Sequence, residues 1–284
     1  MKNYHHLLLA IDIYEDDHFL LEEALKLAEH HHGKLTIMHV APQLVSSVPY
    51  AYDFQAAVLE HARKALADLQ AQYQFAADQV ILREGRASDE IVKLAIEIKA
   101  DMIICGSHGK HGFGLLLGST ANGVLHQSPV DVLTIRVDKT GKRLGVFPYQ
   151  NIVLAIDLHG DNQPIIDVAS DLATYFKADL HVIHVVGDVS ALGYYPAIEI
   201  DLKSTAEGEL AKLIQKSGLS VQPDHQHVKV GFPKQEILDL AAEVQAGLVV
   251  LGSHGRKALA SAILGSTANA VLHGAQSDVM VVRV

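Results

Sequence analysis

The sequence predicts an α/β protein built from two tandem copies of one domain, each a five-stranded parallel sheet with helices on both faces. Three observations predict it. Blocks of sequence recur at a nearly constant offset, short apolar runs alternate with helical stripes, and a glycine-rich loop closes the fourth strand of each copy. Strands alternating with helices of this length imply right-handed βαβ units and hence a parallel sheet.

The repeat is explicit. Leu7-Leu-Leu-Ala-Ile-Asp12 returns as Ile152-Val-Leu-Ala-Ile-Asp157, and Ile37-Met-His-Val40 as Val182-Ile-His-Val185, both 145 residues later. Gly106-Ser-His-Gly109 recurs unchanged as Gly252-Ser-His-Gly255 at 146, and Gly118-Ser-Thr-Ala-Asn122 as Gly265-Ser-Thr-Ala-Asn269 at 147. Two copies of this size mark a duplicated domain, since a solenoid needs a shorter period and more units. The copies span residues 1–138 and 151–284. The join at 139–150 reads as a linker, with Gly141, Gly145 and Pro148 among the basic residues Lys139, Lys142 and Arg143.

Each element of the first copy has its own signal. Residues 7–11 form a continuous apolar run of strand length, as expected when both faces are covered. Leu20, Ala24, Leu27 and His31 make a helical stripe over residues 16–32, and Gly33 is a natural stop. Residues 35–40 are the second strand. A long helix follows with Val58, Ala62, Ala65, Leu66 and Leu69 on one face, then a short third strand at 80–83. Ser88 is the expected N-cap of the next helix, ahead of Asp89 and Glu90, with Ile91, Leu94, Ala95 and Ile98 as its buried stripe. Strand four falls at 102–105, a short helix at 119–127 and strand five at 132–137. The second copy repeats the order and ends on a strand at 279–284.

Composition narrows the function classes. Of 284 residues, 49% are apolar and 20% charged, which is globular composition, and two domains of this size fold without a metal or disulfide staple. A net charge of −10 offers no general attraction to phosphate backbones or anionic lipid, so neither nucleic acid nor membrane is an expected partner. The one cysteine, Cys105, excludes an internal disulfide framework and reads as a buried small hydrophobe. The first apolar run stops at Asp12, too short for a signal peptide or a membrane span, so a cytoplasmic protein is expected.

In an open parallel sheet, ligands bind beyond the carboxyl ends of the strands, where the connection order reverses. Two features fall there in each copy: the acid closing strand one, Asp12 or Asp157, and the glycine loop closing strand four. The loop spacing is Gly106-x2-Gly109-x8-Gly118-Ser119 in the first copy and Gly252-x2-Gly255-x9-Gly265-Ser266 in the second. Each loop delivers Ser119-Thr120 or Ser266-Thr267 to a helix start, where free N–H groups and the helix dipole favour an anion. No glycine-lysine-serine or glycine-lysine-threonine triplet exists, so this is not a Walker A loop, and a dinucleotide fingerprint would follow strand one instead.

These residues resemble the universal stress protein family, as two tandem copies covering nearly the whole chain. The resemblance rests on the strand-one acid, the His-Val pair of strand two, Gly85 and Gly231 after strand three, and above all the glycine loop. It implies a Rossmann-like, adenine nucleotide alpha-hydrolase-like fold and binding of ATP or AMP. It implies that Asp12 and Asp157 meet the ribose or the adenine edge, and that the backbone of Val40 and Val185 meets the adenine. Phosphates would rest on Gly106, Gly109, Gly118, Ser119 and Thr120 in copy one, and on Gly252, Gly255, Gly265, Ser266 and Thr267 in copy two. The second copy matches the family's loop spacing, and the first is one residue short. Mg2+ accompanies the triphosphate in related proteins, but no side-chain cage for it is visible. The last strands, Val132 to Val137 and Val279 to Val284, would pair the copies.

Other readings stay open beside this one. The cleft of a pseudo-dimeric scaffold could have lost its nucleotide or hold another small molecule. An adenylating enzyme is disfavoured, because Asp12 is followed by Ile-Tyr-Glu-Asp where such enzymes carry a Ser-Gly-Gly loop. The other reading of Asp12 and Asp157 is a helix N-cap or a turn acid. His108 and His254 stand between loop glycines, where a phosphate contact is conceivable but no partnered acid or nucleophile supports catalysis, so no catalytic residue is expected. Slow ATP hydrolysis has no visible base or cationic clamp. Among eighteen histidines the best metal candidates are His30-His31-His32 and the pair His225/His227. Consecutive helical rings diverge by about 100°, so a solvated helix end is the expectation and no metal site is assigned. His39 and His184 are expected as satisfied core or cleft residues. The stretch from Ala41 to Phe54, with Pro42, Pro49, Tyr50 and Tyr52, is either a lid or a surface loop.

Overall fold

Leu7, Leu8 and Leu9 vanish completely from solvent in β1 (His6–Ala10), the central strand of the first copy. The structure, a computed structural model, describes residues 2–14, 18–43, 51–107, 117–138, 142–187, 196–253 and 264–284. The two copies occupy separate units, Asn3–Arg143 and Leu144–Val284.

In the first unit β1 is followed by α1 (His18–His30), β2 (Lys34–Ala41), α2 (Ala51–Tyr73), β3 (Val80–Glu84), α3 (Ala87–Glu97), β4 (Met102–Gly106), α4 (Ser119–Gln127) and β5 (Asp131–Ile135). The strands lie in the order β3-β2-β1-β4-β5 and are parallel. The chain lays down β1, β2 and β3 in one direction, then jumps back through α3 to start β4. With right-handed crossovers that reversal puts α3 and α4 on the face opposite α1 and α2. The second unit repeats this with β6 (Asn151–Ala155), α5 (Gln163–Phe176), β7 (Asp179–Gly187), α6 (Pro196–Ser217), β8 (Gln226–Gly231), α7 (Pro233–Glu243), β9 (Leu248–Gly252), α8 (Ser266–Gly274) and β10 (Asp278–Val282). Its order is β8-β7-β6-β9-β10, again parallel. The α/β class and the five-strand sheet of each copy are as expected.

Three expectations need correction. Ser88 is not the N-cap of α3: that position is held by the extended backbone of Arg86, and Ser88 is buried in the first turn. The reason lies on α4, where a Cβ added to Gly123 would stand 2.5 Å from the Ser88 Cβ. Ser88 is thus a small residue at a close helix contact. The last strand of each copy is shorter than expected, ending at Ile135 and at Val282; in the first copy Ser107 Oγ takes the Val137 N–H at 3.2 Å and Val137 turns into an antiparallel bridge with Arg143. The His30–His32 run is not uniformly solvated. Helix α1 stops at His30, His32 takes a left-handed φ of 51°, and His31 is buried edge-on against the Tyr4 ring at 5.0 Å.

The stretch expected as a linker is anchored at both ends, each to its own unit. Arg143 ion-pairs with Glu23 of α1, both side chains being largely buried, and the Asp138 N–H donates to the Lys142 carbonyl at 2.8 Å. On the far side Phe147 and Tyr149 meet Phe176 edge-on, at 5.4 and 4.8 Å between ring centroids.

One buried pair is repeated in both copies. The Tyr4 hydroxyl donates to Asp131 Oδ2 at 2.7 Å, and the Tyr149 hydroxyl to Asp278 Oδ2 at 2.9 Å. Each ties the chain just before the first strand to the first residue of the fifth. Removing the hydroxyl takes a hydrogen bond from a buried carboxylate, which costs about 1–3 kcal/mol. Tyr4→Phe and Tyr149→Phe should each lower the free energy of chemical unfolding by that amount, read by circular dichroism in urea.

Candidate functional site

Parallel register brings the strand-end residues together. Ala10 of β1 pairs with Met38 of β2 on one side and Cys105 of β4 on the other. Two residues further along each strand, Asp12, Val40 and Ser107 share one row across the carboxyl ends. In the second copy Ala155 pairs with Ile183 and Leu251, which places Asp157, Val185 and Ser253 on the same row. Gly106 and Gly252, last residues of β4 and β9, stand one step inside it. This row lies at the point where the order of connection reverses, the preferred ligand position in such sheets.

The ends of the glycine loop are stapled to each other. The Gly118 N–H donates to the Ser107 carbonyl at 2.6 Å, and the Ser107 N–H donates to Ile135 at 2.8 Å. The second copy has the same bonds, Gly265 to Ser253 at 2.7 Å and Ser253 to Val282 at 2.8 Å. Gly118 and Gly265 are the N-caps of α4 and α8, with φ/ψ of −62/153° and −61/152°. Neither offers a side chain to the first turn, so the N–H groups of Ser119, Thr120 and Ala121, and of Ser266, Thr267 and Ala268, have no intrahelical acceptor. Ser119 and Ser266 are exposed, and Thr120 and Thr267 half-buried. The caps are the glycines, so the exposed serines stand at the same helix starts as the open amides. The one-residue difference between the loops falls inside residues 108–116 and 254–263. His108, Gly109, His254 and Gly255 therefore lie outside the described residues, as do residues 44–50 of the stretch from Ala41 to Phe54.

Both strand-one acids close a turn. Asp12 Oδ1 accepts the Tyr14 N–H and Asp157 Oδ1 the His159 N–H, each at 3.1 Å. The acids are half-buried. Behind them, His39 Nδ1 bonds the Ile11 carbonyl at 3.1 Å and His184 Nδ1 the Ile156 carbonyl at 3.0 Å, both rings buried as expected. Burial pushes the His39 pKa below its ordinary value, against the opposing pull of the Ile11 carbonyl and the Asp12 charge.

The structure also shows residues the sequence reading missed. Tyr14 stacks on His61 of α2 at 5.5 Å and 6°, and meets His39 edge-on at 5.7 Å, forming an aromatic wall in the first copy. At the matching offset the second copy carries His159 and Ala206. The only local signal was Tyr14 two residues after the acid; His61 is brought in by the fold. Arg83, in register with Val40, donates to Glu97 Oε1 at 3.2 Å and pairs with Glu90 at 3.3 Å, so its charge is engaged at the rim of the sheet. Cys105 is fully buried in β4, and burial pushes its thiol pKa up to about 12, which makes it inert as read from sequence.

Comparison with known proteins agrees with the fold and the repeat. A sequence model of the universal stress protein family matches residues 3–136 and again 148–283. A universal stress protein of Mycolicibacterium smegmatis is 28% identical over 98% of this chain and 96% of its own length. Universal stress protein A homolog 2 of Coxiella burnetii is 39% identical over 47% of this chain and 92% of its own. Among solved structures, a universal stress protein from Archaeoglobus fulgidus superposes with a TM-score of 0.64 at 24% identity, over 98% of this chain and 96% of that one. No helix among the described residues is long and apolar enough to cross a membrane.

The His39 environment makes a signed prediction. Its folded pKa lies below the ordinary 6.5, so the unfolded chain binds the proton more readily. The stability tied to the neutral ring is complete above about pH 6.5 and is lost as pH falls from there to the folded pKa. An NMR titration of the His39 ring should therefore give an apparent pKa below 6.5, and a value above it contradicts the burial argument.

Proposed function

The chain belongs to the universal stress protein family as a tandem pair of its domains, and from that premise we propose that it binds an adenine nucleotide, ATP or AMP. Binding takes place in the strand-end cleft of the second copy, and occupancy serves as a signal in a stress response. The observation that carries this reading is the placement of Asp157, Val185 and Ser253 on one row beside the glycine-capped start of α8. The same loop has the spacing Gly252-x2-Gly255-x9-Gly265-Ser266.

In this reading the open amides and hydroxyls of Ser266 and Thr267 receive phosphate oxygens through charge-assisted hydrogen bonds. Gly252 and Gly265 let the backbone approach without a Cβ in the way, with His254 and Gly255 completing the loop by motif. Asp157 offers its carboxylate to a ribose hydroxyl or the adenine edge, and the Val185 backbone edge reads the adenine. The first copy repeats the arrangement with Asp12, Val40, Gly106, His108, Gly109, Gly118, Ser119 and Thr120, and its aromatic wall gives a base a stacking surface. Mg2+ would be held by the phosphates and water. The protein acts as a binder rather than an enzyme, in the cytoplasm, where a lone cysteine stays reduced. Pairing of the copies through Val132 to Val137 and Val279 to Val284 belongs to the same proposal.

A second reading has one observation in its favour. Both strand-one acids already accept a backbone N–H in their own turns, which suits a scaffold whose cleft has lost its nucleotide.

Isothermal titration of nucleotide-free protein with ATP and Mg2+ separates the two readings. The proposal expects at least one site per chain, and two if the shorter loop of copy one also holds phosphate. Ser266→Ala removes one hydrogen bond to a charged group, about 1.5–3 kcal/mol, and should weaken binding at least tenfold. No heat and no thermal shift supports the scaffold, and phosphate release under the same conditions would contradict a binder without turnover.

A further inference from the structure

In the sequence His225 and His227 are a pair; the fold adds His181 as a third ring. His181 lies on β7, His227 on β8 and His225 in the short 3₁₀ turn Pro223–His225 that leads into β8. His181 Nδ1 stands 3.3 Å from His227 Nε2, and the His225 ring stacks on His181 at 3.9 Å between centroids. His181 is 7% exposed, and the other two rings are half-buried.

We propose that His181, His225 and His227 form a divalent transition-metal site of the zinc class, at the outer edge of the second copy's sheet. The nitrogen separation is the first argument. At 3.3 Å it is long for a hydrogen bond. Two imidazole nitrogens bound at about 2.0–2.1 Å to one tetrahedral ion lie about 3.3–3.4 Å apart, so His181 and His227 already have the bite of a metal chelate. His225 comes in as the third ligand by turning its ring about its side-chain torsions. It has room to do so, because it lines a cavity of about 290 Å³ together with Asp179, Thr174, Ser220 and Gln222.

Charge and ligand type agree. Asp179 and Asp224 act on His181, and Asp224 and Glu243 act on His227, where Lys229 opposes them. Three carboxylates set against that ammonium make the local field favourable to a dication. Three imidazoles suit zinc or nickel rather than calcium or magnesium, which take oxygen ligands.

The first copy provides an internal control. Strand pairing of Ile37 with Val80 corresponds to that of Val182 with Gln226, which aligns Thr36, Gln79 and Ile81 with His181, His225 and His227. There the polar groups are satisfied locally: Gln79 Nε2 donates to the Leu35 carbonyl at 3.0 Å, and Thr36 Oγ1 meets His6 Nε2 at 2.8 Å. The three equivalent positions carry no histidine in the first copy and three in the second. The ion would clip edge strand β8 and its leading turn to β7.

The test uses the untagged, chelator-stripped full-length chain titrated with Zn2+ against a colorimetric chelator, followed by diffraction at the zinc absorption edge. One ion should bind at the three rings, and Zn2+ should raise the thermal midpoint. Losing a ligand should cost at least as much as losing a ligand's supporting hydrogen bond, about 10–100-fold in affinity. His225→Ala, on the partly exposed turn, should show that loss and abolish the thermal shift, as should His181→Asn if it folds. An affinity no better than that of free imidazole, unchanged binding in His225→Ala, or an anomalous peak away from these rings overturns the proposal.

Discussion

A single backbone hydrogen bond holds the geometry of each strand-end cleft: Gly118 to Ser107 in one copy, Gly265 to Ser253 in the other. It joins the residue that leaves the fourth strand to the residue that caps the following helix. Because the bond closes the base of the loop, the loop's length can change without moving either the strand end or the helix start. That explains how copies differing by one loop residue keep cap angles within about a degree of each other. It also explains why the cap is glycine. Its backbone N–H is committed to the serine carbonyl, and with no side chain to curl over the first turn the next three amides remain open.

Duplication left the frame in place and let its surfaces diverge. The sheet order, the Tyr–Asp tie, the strand-one acid in its turn and the buried strand-two histidine are the same in both copies. What differs lies where a side chain does not have to fill the core. Tyr14 and His61 line one cleft where the other has His159 and Ala206, and three histidines meet at one sheet edge where the other has Thr36, Gln79 and Ile81. The frame carries the fold twice, and each copy is free to specialise.

What could be read from sequence follows from the range of the interaction involved. Strands covered on both faces spell continuous apolar runs, so Leu7–Leu9 and Val249–Leu251 announce themselves, and the loop motif names Gly118 and Ser119 without any structure. Contacts between distant residues leave no such trace. Tyr4 finds Asp131 across 127 residues, and His181 finds His227 across 46. Ser88 misled because serine before two acids is a sound capping signal, whereas its actual job is to be small where α4 approaches through Gly123. His31 misled because a polar triplet suggests a wet helix end, while the stripe through Leu20, Ala24 and Leu27 already placed it inward, against Tyr4. The loop histidines and glycines at 108–109 and 254–255 rest on motif alone.

The solitary thiol of Cys105 has a practical consequence. Fully buried in a central strand, with its ionisation suppressed, it presents almost no thiolate to a reagent while the first unit is closed. The second copy has no cysteine at all. Alkylation kinetics therefore clock the opening of one half of the chain only. Where reclosing outpaces modification, the labelling rate reports the open population, and where it does not, the rate reports opening itself. The protein thus carries an intrinsic, unit-specific gauge of local unfolding. With it, a ligand's protection of the first copy can be separated from its protection of the second without any added probe.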